Sequence, residues 1–180
     1  EGLICLSGCL AGELARNIIE DYEKGKEVAK WYRDVFGDDY YLEIQANGIE
    51  EQKIVNQKIV KLSKELDIPL VATNDVHYTC REDVKAQDIL ICIQTGKKID
   101  DEDRMKIDVD TLYIKSPEEI KKEFANFPEA LENTVKIAEK CNFEFEFGNT
   151  KLPNFDTPNG ERHEEYLKQK TYEGIVKKYG

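Results

Sequence analysis

Pro69-Leu70-Val71-Ala72-Thr73-Asn74-Asp75-Val76-His77 follows directly on a helix-patterned stretch, Glu50–Leu66, and that junction decides the fold. In Glu50–Leu66 the residues Val55, Ile59, Leu62 and Leu66 recur at i, i+4, i+7 and i+11, which lays them on one helical face. Asp67-Ile68-Pro69 ends the helix, because proline pushes the residue before it out of the helical region. Leu70-Val71-Ala72 is a continuous apolar run of strand length, the pattern of a strand covered on both faces, and proline is tolerated at its first position.

Working outward, the same alternation recurs. Tyr40-Tyr41-Leu42-Glu43-Ile44 is rich in aromatic and branched residues and reads as a strand. Before it, Lys24 to Val35 is helical by pattern, with Val28, Trp31, Tyr32 and Val35 as its apolar face. Leu3–Leu6 is a short apolar strand, Ser7-Gly8-Cys9 a turn, and helical spacing resumes near Ala11 through Leu14, Ile18 and Ile19. Beyond His77, Arg81 to about Thr95 is helical through Val84, Ile89, Leu90 and Ile93. Strand followed by helix, repeated, predicts a parallel α/β sheet or (β/α) barrel, since parallel neighbours need crossover helices. Three such units are too few to close a barrel. The chain opens without methionine directly in a strand, and both ends read as cut boundaries within a larger protein.

The remainder is less regular. Gly96–Asp110 is a charged loop containing Asp100-Asp101-Glu102-Asp103, read as a solvated acidic run rather than a cation site. Ser116-Pro117-Glu118-Glu119 has Ser at N-cap, Pro at N1 and Glu at N3, a strong helix start. Pro128 opens another helix that ends near Cys141. Phe143-Glu144-Phe145-Glu146-Phe147 alternates apolar and acidic residues and predicts a half-exposed strand. Gly148–Gly160 reads as a linker, and Glu161–Tyr179 as a helix of the next domain.

Composition narrows the function classes. The chain has 180 residues, 40% hydrophobic and 35% charged, ordinary for a globular domain. No apolar run approaches the roughly 18–20 residues of a membrane span. The formal charge of −11 opposes tight binding to nucleic acid, whose affinity comes largely from Lys and Arg. The five cysteines are odd in number and form no Cys-x-x-Cys pair, which predicts reduced, mostly buried thiols of a cytoplasmic protein.

In a parallel α/β arrangement, functional groups gather at the carboxyl ends of strands. Those ends carry Cys9; Glu43 with Gln45 and Asn47; and Asn74, Asp75 and His77. Asp75 and His77 flank one residue, so on an extended segment their side chains point the same way. A carboxylate beside an imidazole suits zinc, manganese or iron, although the bland alternative is a helix-capping Asp and a surface His. Cys9 is either a thiolate ligand or a small buried residue, and Glu43 either a base or the partner of a nearby cation. Cys80 is a weaker ligand candidate, and Trp31 and Tyr41 are expected in the core. There is no Gly-rich phosphate loop and no Ser/His/Asp arrangement.

With these residues in place, the sequence resembles the alpha-subunit family of bacterial DNA polymerase III. The resemblance runs through Gly2-Leu3-Ile4-Cys5-Leu6-Ser7-Gly8-Cys9, Trp31-Tyr32-Arg33-Asp34-Val35-Phe36-Gly37, Tyr41-Leu42-Glu43-Ile44-Gln45, Pro69–Tyr78, Ile93-Gln94-Thr95-Gly96-Lys97, Phe127–Thr134 and Leu152-Pro153-Asn154-Phe155. It implies a partial, distorted (β/α)7 barrel of the PHP (polymerase and histidinol phosphatase) type with parallel strands, followed by helical segments. The implied division is residues 1–110 as the carboxyl-terminal part of that domain, 111–147 as its end with connecting helices, and 148–180 as a linker and the first helix of the polymerase core.

The resemblance also implies that Cys9, Asp75 and His77 belong to a divalent metal centre holding zinc or manganese. It implies 3′–5′ exonuclease proofreading at that centre and magnesium-dependent nucleotidyl transfer elsewhere in the parent protein. The early His-x-His ligands and the palm aspartates of the family are absent, so the site here is expected to be incomplete and the fragment inactive. The implied partners are DNA, deoxynucleoside triphosphates and the other holoenzyme subunits, with homodimerisation through exposed sheet edges. Two rivals stand beside this reading: a free-standing PHP-type metal-dependent phosphoesterase, and a non-catalytic interaction module.

Overall fold

The computed structural model describes residues 2–180. Its elements run β1 (Cys5–Leu6), α1 (Glu13–Glu20), α2 (Tyr22–Phe36), β2 (Tyr40–Gln45), α3 (Glu50–Leu66), β3 (Leu70–Thr73), α4 (Val84–Thr95), α5 (Pro117–Glu123), α6 (Pro128–Lys140) and α7 (His163–Tyr179). The three strands form one parallel sheet in the order β1-β2-β3. Cys5 pairs with Tyr40, and Leu42 to Gln45 pair with Leu70 to Thr73. This is the α/β arrangement expected from the strand–helix alternation, and it is consistent with part of a (β/α) barrel.

The chain divides into two compact units, one closing at Asn142 and the other opening at Phe143. In the first, Val55, Ile59, Leu62 and Leu66 of α3 are all buried, as their spacing requires, and pack with Tyr40, Leu42 and Ile44 of β2. Leu14, Ala15 and Ile18 of α1 complete that face. Asn133 of α6, itself buried, donates to the Leu70 carbonyl at 2.7 Å and ties the helix to β3.

Several expectations need correction. Trp31 and Val35 lie on the exposed side of α2, with Trp31 59% exposed; the buried side is carried by Gly25 and Ala29. Ile19 is likewise exposed, as are Ile89, Leu90 and Ile93 of α4. Residues 143–147 form no strand, and Phe143, Phe145 and Phe147 stand exposed. Alternation prepares a strand, but only a neighbouring strand supplies its hydrogen bonds. All five cysteines are free thiols, yet only Cys92 is buried.

Candidate metal centre

The candidate residues sit on turns that leave the carboxyl ends of the strands. Beyond β1, Ser7-Gly8-Cys9 is clipped to β2 by three bonds. Ser7 N–H donates to the Tyr41 carbonyl at 3.0 Å, Glu43 N–H to Ser7 Oγ at 2.8 Å, and Gly8 N–H to Glu43 Oε2 at 3.1 Å. Gly8 has φ +79°, the left-handed conformation that glycine adopts without steric cost. Cys9 is half-buried, and its carbonyl accepts from Gly12 N–H at 2.8 Å.

Beyond β3 the chain does not stay extended. Asp75 has φ +50°, a left-handed turn that a non-glycine residue adopts at some cost and that Asp tolerates better than most. The turn brings His77 Nδ1 within 2.6 Å of the Asp75 carbonyl. Nδ1–H donates to that oxygen, so in the neutral imidazole the free lone pair is the one on Nε2. His77 is exposed and Asp75 half-buried. The Asp75 carboxylate caps no helix; the turn before α4 is held by Asp83, which accepts from Cys80 N–H at 3.0 Å. Cys80 itself is exposed.

A backing that the pattern reading did not anticipate comes from residues 111–114. His77 N–H donates to the Leu112 carbonyl at 2.8 Å, and Tyr78 forms a parallel bridge with Tyr113. Asn74 Nδ2 donates to the carbonyls of Thr111 and Tyr113 at 3.1 and 2.8 Å. The Asp75–His77 turn is thus anchored on both sides by backbone.

Between the two turns lies the inner face of β2. Glu43, Gln45 and Asn47 alternate along it and are all buried. Ile49 N–H donates to Asn47 Oδ1 at 3.2 Å, Asn47 Nδ2 to Gln45 Oε1 at 3.3 Å, and Gln45 Nε2 to Glu43 Oε1 at 2.8 Å. The Thr73 hydroxyl of β3 also donates to Glu43 Oε1. Glu43 therefore touches all three strand ends. It is 8% exposed, and its partners are the Gln45 amide, the Thr73 hydroxyl and the Gly8 N–H. Its charge is met by neutral donors, each worth about 1.5–3 kcal/mol when the acceptor is ionised. The signal that could have found this relay is the period-two run of polar residues on a strand otherwise built for burial.

The donor types Cys, Asp and His suit zinc or manganese. Their placement is open: β1 and β3 flank β2, so the Cys9 and Asp75 turns leave the sheet two strand spacings apart, about 10 Å. Among the described residues no three His, Cys, Asp or Glu side chains converge closely enough to hold a metal ion. The loop acids do not converge either; Asp103 pairs with Lys97 at 2.7 Å, and Asp101 accepts from Lys98 N–H at 2.8 Å. No helix among the described residues is long and apolar enough to cross a membrane.

Comparison with known proteins adds an independent line. Residues 1–47 match the family model described as "PHP domain". Proteins named DNA polymerase III subunit alpha match over most of the chain. That of Borreliella burgdorferi is 48% identical over 182 residues, covering 99% of this chain and 16% of its own length. The Campylobacter jejuni protein is 48% identical over 166 residues, 86% of this chain and 14% of its own length. The Thermus aquaticus protein is 36% identical over 190 residues, 99% of this chain and 15% of its own length. The chain thus spans about a sixth of the length of these curated relatives. Along nearly all of its length the chain is similar to a segment of bacterial DNA polymerase III alpha subunits, and its first 47 residues match the PHP-domain model.

Proposed function

We propose that this chain is a segment of a replicative DNA polymerase whose Cys9, Asp75 and His77 contribute to a divalent metal centre completed by ligands from outside it. The observation that carries the reading is the Asp75–His77 turn. His77 Nδ1 is tied to the Asp75 carbonyl, which leaves Nε2 free to ligate at the carboxyl end of β3. Residues 1–110 and 111–147 belong in this reading to the PHP region, and 148–180 lead toward the polymerase core. Zinc or manganese at the completed centre would supply Lewis acidity for phosphodiester hydrolysis, the chemistry of 3′–5′ exonuclease proofreading. The chain's own residues hold donors and set their tautomers. Polymerisation with magnesium, and contact with DNA, deoxynucleoside triphosphates and holoenzyme subunits in the cytoplasm, fall to the parent protein. Self-association through the open edge of β1 belongs to the same proposal.

The isolated chain is expected to bind zinc or manganese weakly and to be inactive. Metal analysis after dialysis checks this, and stoichiometric retained metal would refute it. In the parent, Asp75→Asn with His77→Ala is expected to lower metal-dependent exonuclease activity more than polymerisation. Equal loss of both would assign these residues to folding. A purely non-catalytic interaction module predicts no metal in the parent.

A further inference from the structure

We propose that residues 143–147 are a donated strand, which adds main chain to main chain at the edge of a partner's β-sheet whose outer strand alternates apolar and basic residues. The segment, Phe143-Glu144-Phe145-Glu146-Phe147, opens the second compact unit. Among the described residues no strand pairs with it, and its main-chain N–H and C=O groups form no hydrogen bond. The three phenyl rings are 78%, 74% and 92% exposed. Successive ring centroids lie 5.0 and 6.2 Å apart, so the rings form one continuous strip. Both glutamates are exposed as well.

Three contiguous exposed rings are a patch rather than scattered surface residues, and such patches mark interaction sites. The alternation then selects the occupant. In a strand, period two sets the phenyls on one face and the carboxylates on the other. A second copy does not fit. Antiparallel pairing centred on Phe145 sets each Glu144 opposite a Glu146, and parallel in-register pairing sets each glutamate opposite itself. Like charges directly opposite destabilise a strand pair. A one-residue slip would mix phenyls and carboxylates on one face. The complement is a strand with apolar residues opposite the phenyls and Lys or Arg opposite Glu144 and Glu146. Exposed sheet edges are often guarded by lysine, which repels other basic edges and attracts this acidic one. Main-chain pairing supplies the affinity of strand addition, and the alternating side chains supply its selectivity.

The test titrates the full 15N-labelled chain with a designed three-stranded sheet peptide whose edge strand reads Val-Lys-Val-Lys-Val. Amide shifts centred on residues 143–147 are expected. A peptide of the same composition whose edge reads Lys-Lys-Val-Val-Val is expected to bind about 10-fold more weakly, because its charges and apolar residues fall on the wrong faces. Glu144→Lys with Glu146→Lys is expected to lose the lysine peptide and to gain one whose edge reads Val-Glu-Val-Glu-Val. The segment lies outside the core of the first unit, so unshifted amides there report that the variant remains folded. Equal binding of the patterned and scrambled peptides would reduce the effect to general attraction by a chain of charge −11 and overturn the inference. Shifts confined to other residues, or lysine-peptide binding that survives the charge reversal, would overturn it too. A dimer in sedimentation that Phe145→Ser abolishes would assign the strip to a second copy, and that also overturns it.

Discussion

Gly25→Ala in α2 sets two familiar effects against each other. By helix propensity alone, replacing a glycine within a helix with alanine stabilises by up to about 0.5–1 kcal/mol, and Gly25 is the fourth residue of α2. Gly25 is buried against α1, however, and a Cβ there would lie 2.6 Å from Ile18 Cβ, 2.7 Å from its Cγ1 and 2.8 Å from its Cα. Two of these atoms move only with the backbone, so rotamer change cannot relieve the clash. α1 and α2, joined through the single residue Asp21, must separate. Overpacking of this kind costs about 1–3 kcal/mol, which exceeds the propensity gain. The expected net loss is about 1–2 kcal/mol, or a fall in Tm of roughly 3–6 °C for a unit of this size. Urea unfolding followed by fluorescence reports on this region, because the one tryptophan, Trp31, is on α2. Gly174→Ala in α7 is the control: nothing lies within 4 Å of its Cβ, so it should be neutral or stabilising. A G25A chain as stable as wild type, or more so, would refute the close-approach argument.

Two further outcomes follow from the packing and the ionisation of the first unit. Asn133→Ala removes the donor to the Leu70 carbonyl and leaves a buried acceptor unpaired, at an expected cost of about 1–3 kcal/mol by denaturant titration; an unchanged midpoint would mean that water replaces the amide. Glu119, at the start of α5, accepts from the Tyr113 hydroxyl and from Ser116 N–H, and these bonds hold its carboxyl down at about 2, below the ordinary 4.5. Because the folded-state value is the lower one, its contribution is complete above about pH 4.5 and disappears as pH falls toward 2. The stability difference between wild type and Glu119→Gln should therefore shrink across that window; a difference independent of pH would refute the assignment.

The α3–β3 junction was legible because both of its signals are local: a four-membered apolar face and a short apolar run behind a proline. The face of α2 was misread for a related reason. Counting large apolar residues favours Trp31 and Val35, whereas the buried line follows Gly25 and Ala29, where smallness lets α1 approach. The Phe143–Phe147 alternation failed differently, since pairing is not a property of one segment. Asp75 and His77 were singled out by spacing and position, but the left-handed turn that ties the imidazole Nδ1 to the Asp75 carbonyl leaves no mark in the pattern. Glu43, Gln45 and Asn47 were recognised as a group at a strand end. Their hydrogen-bond direction depends on Ile49 N–H, which residue types alone do not reveal.

That direction has a consequence for how these positions tolerate change. In the run from Ile49 through Asn47 and Gln45 to Glu43, each side chain accepts from the neighbour behind it, and Asn47 and Gln45 donate to the one ahead. None of these residues can reverse alone, because reversal would set two donors or two acceptors face to face. The polar run on β2 therefore behaves as a single unit as far as Glu43, whose two oxygens accept alike: an exchange at Asn47 is felt at Gln45, and its repair is to be sought at Gln45 rather than next to Asn47. Pairwise substitutions along the run should be strongly non-additive.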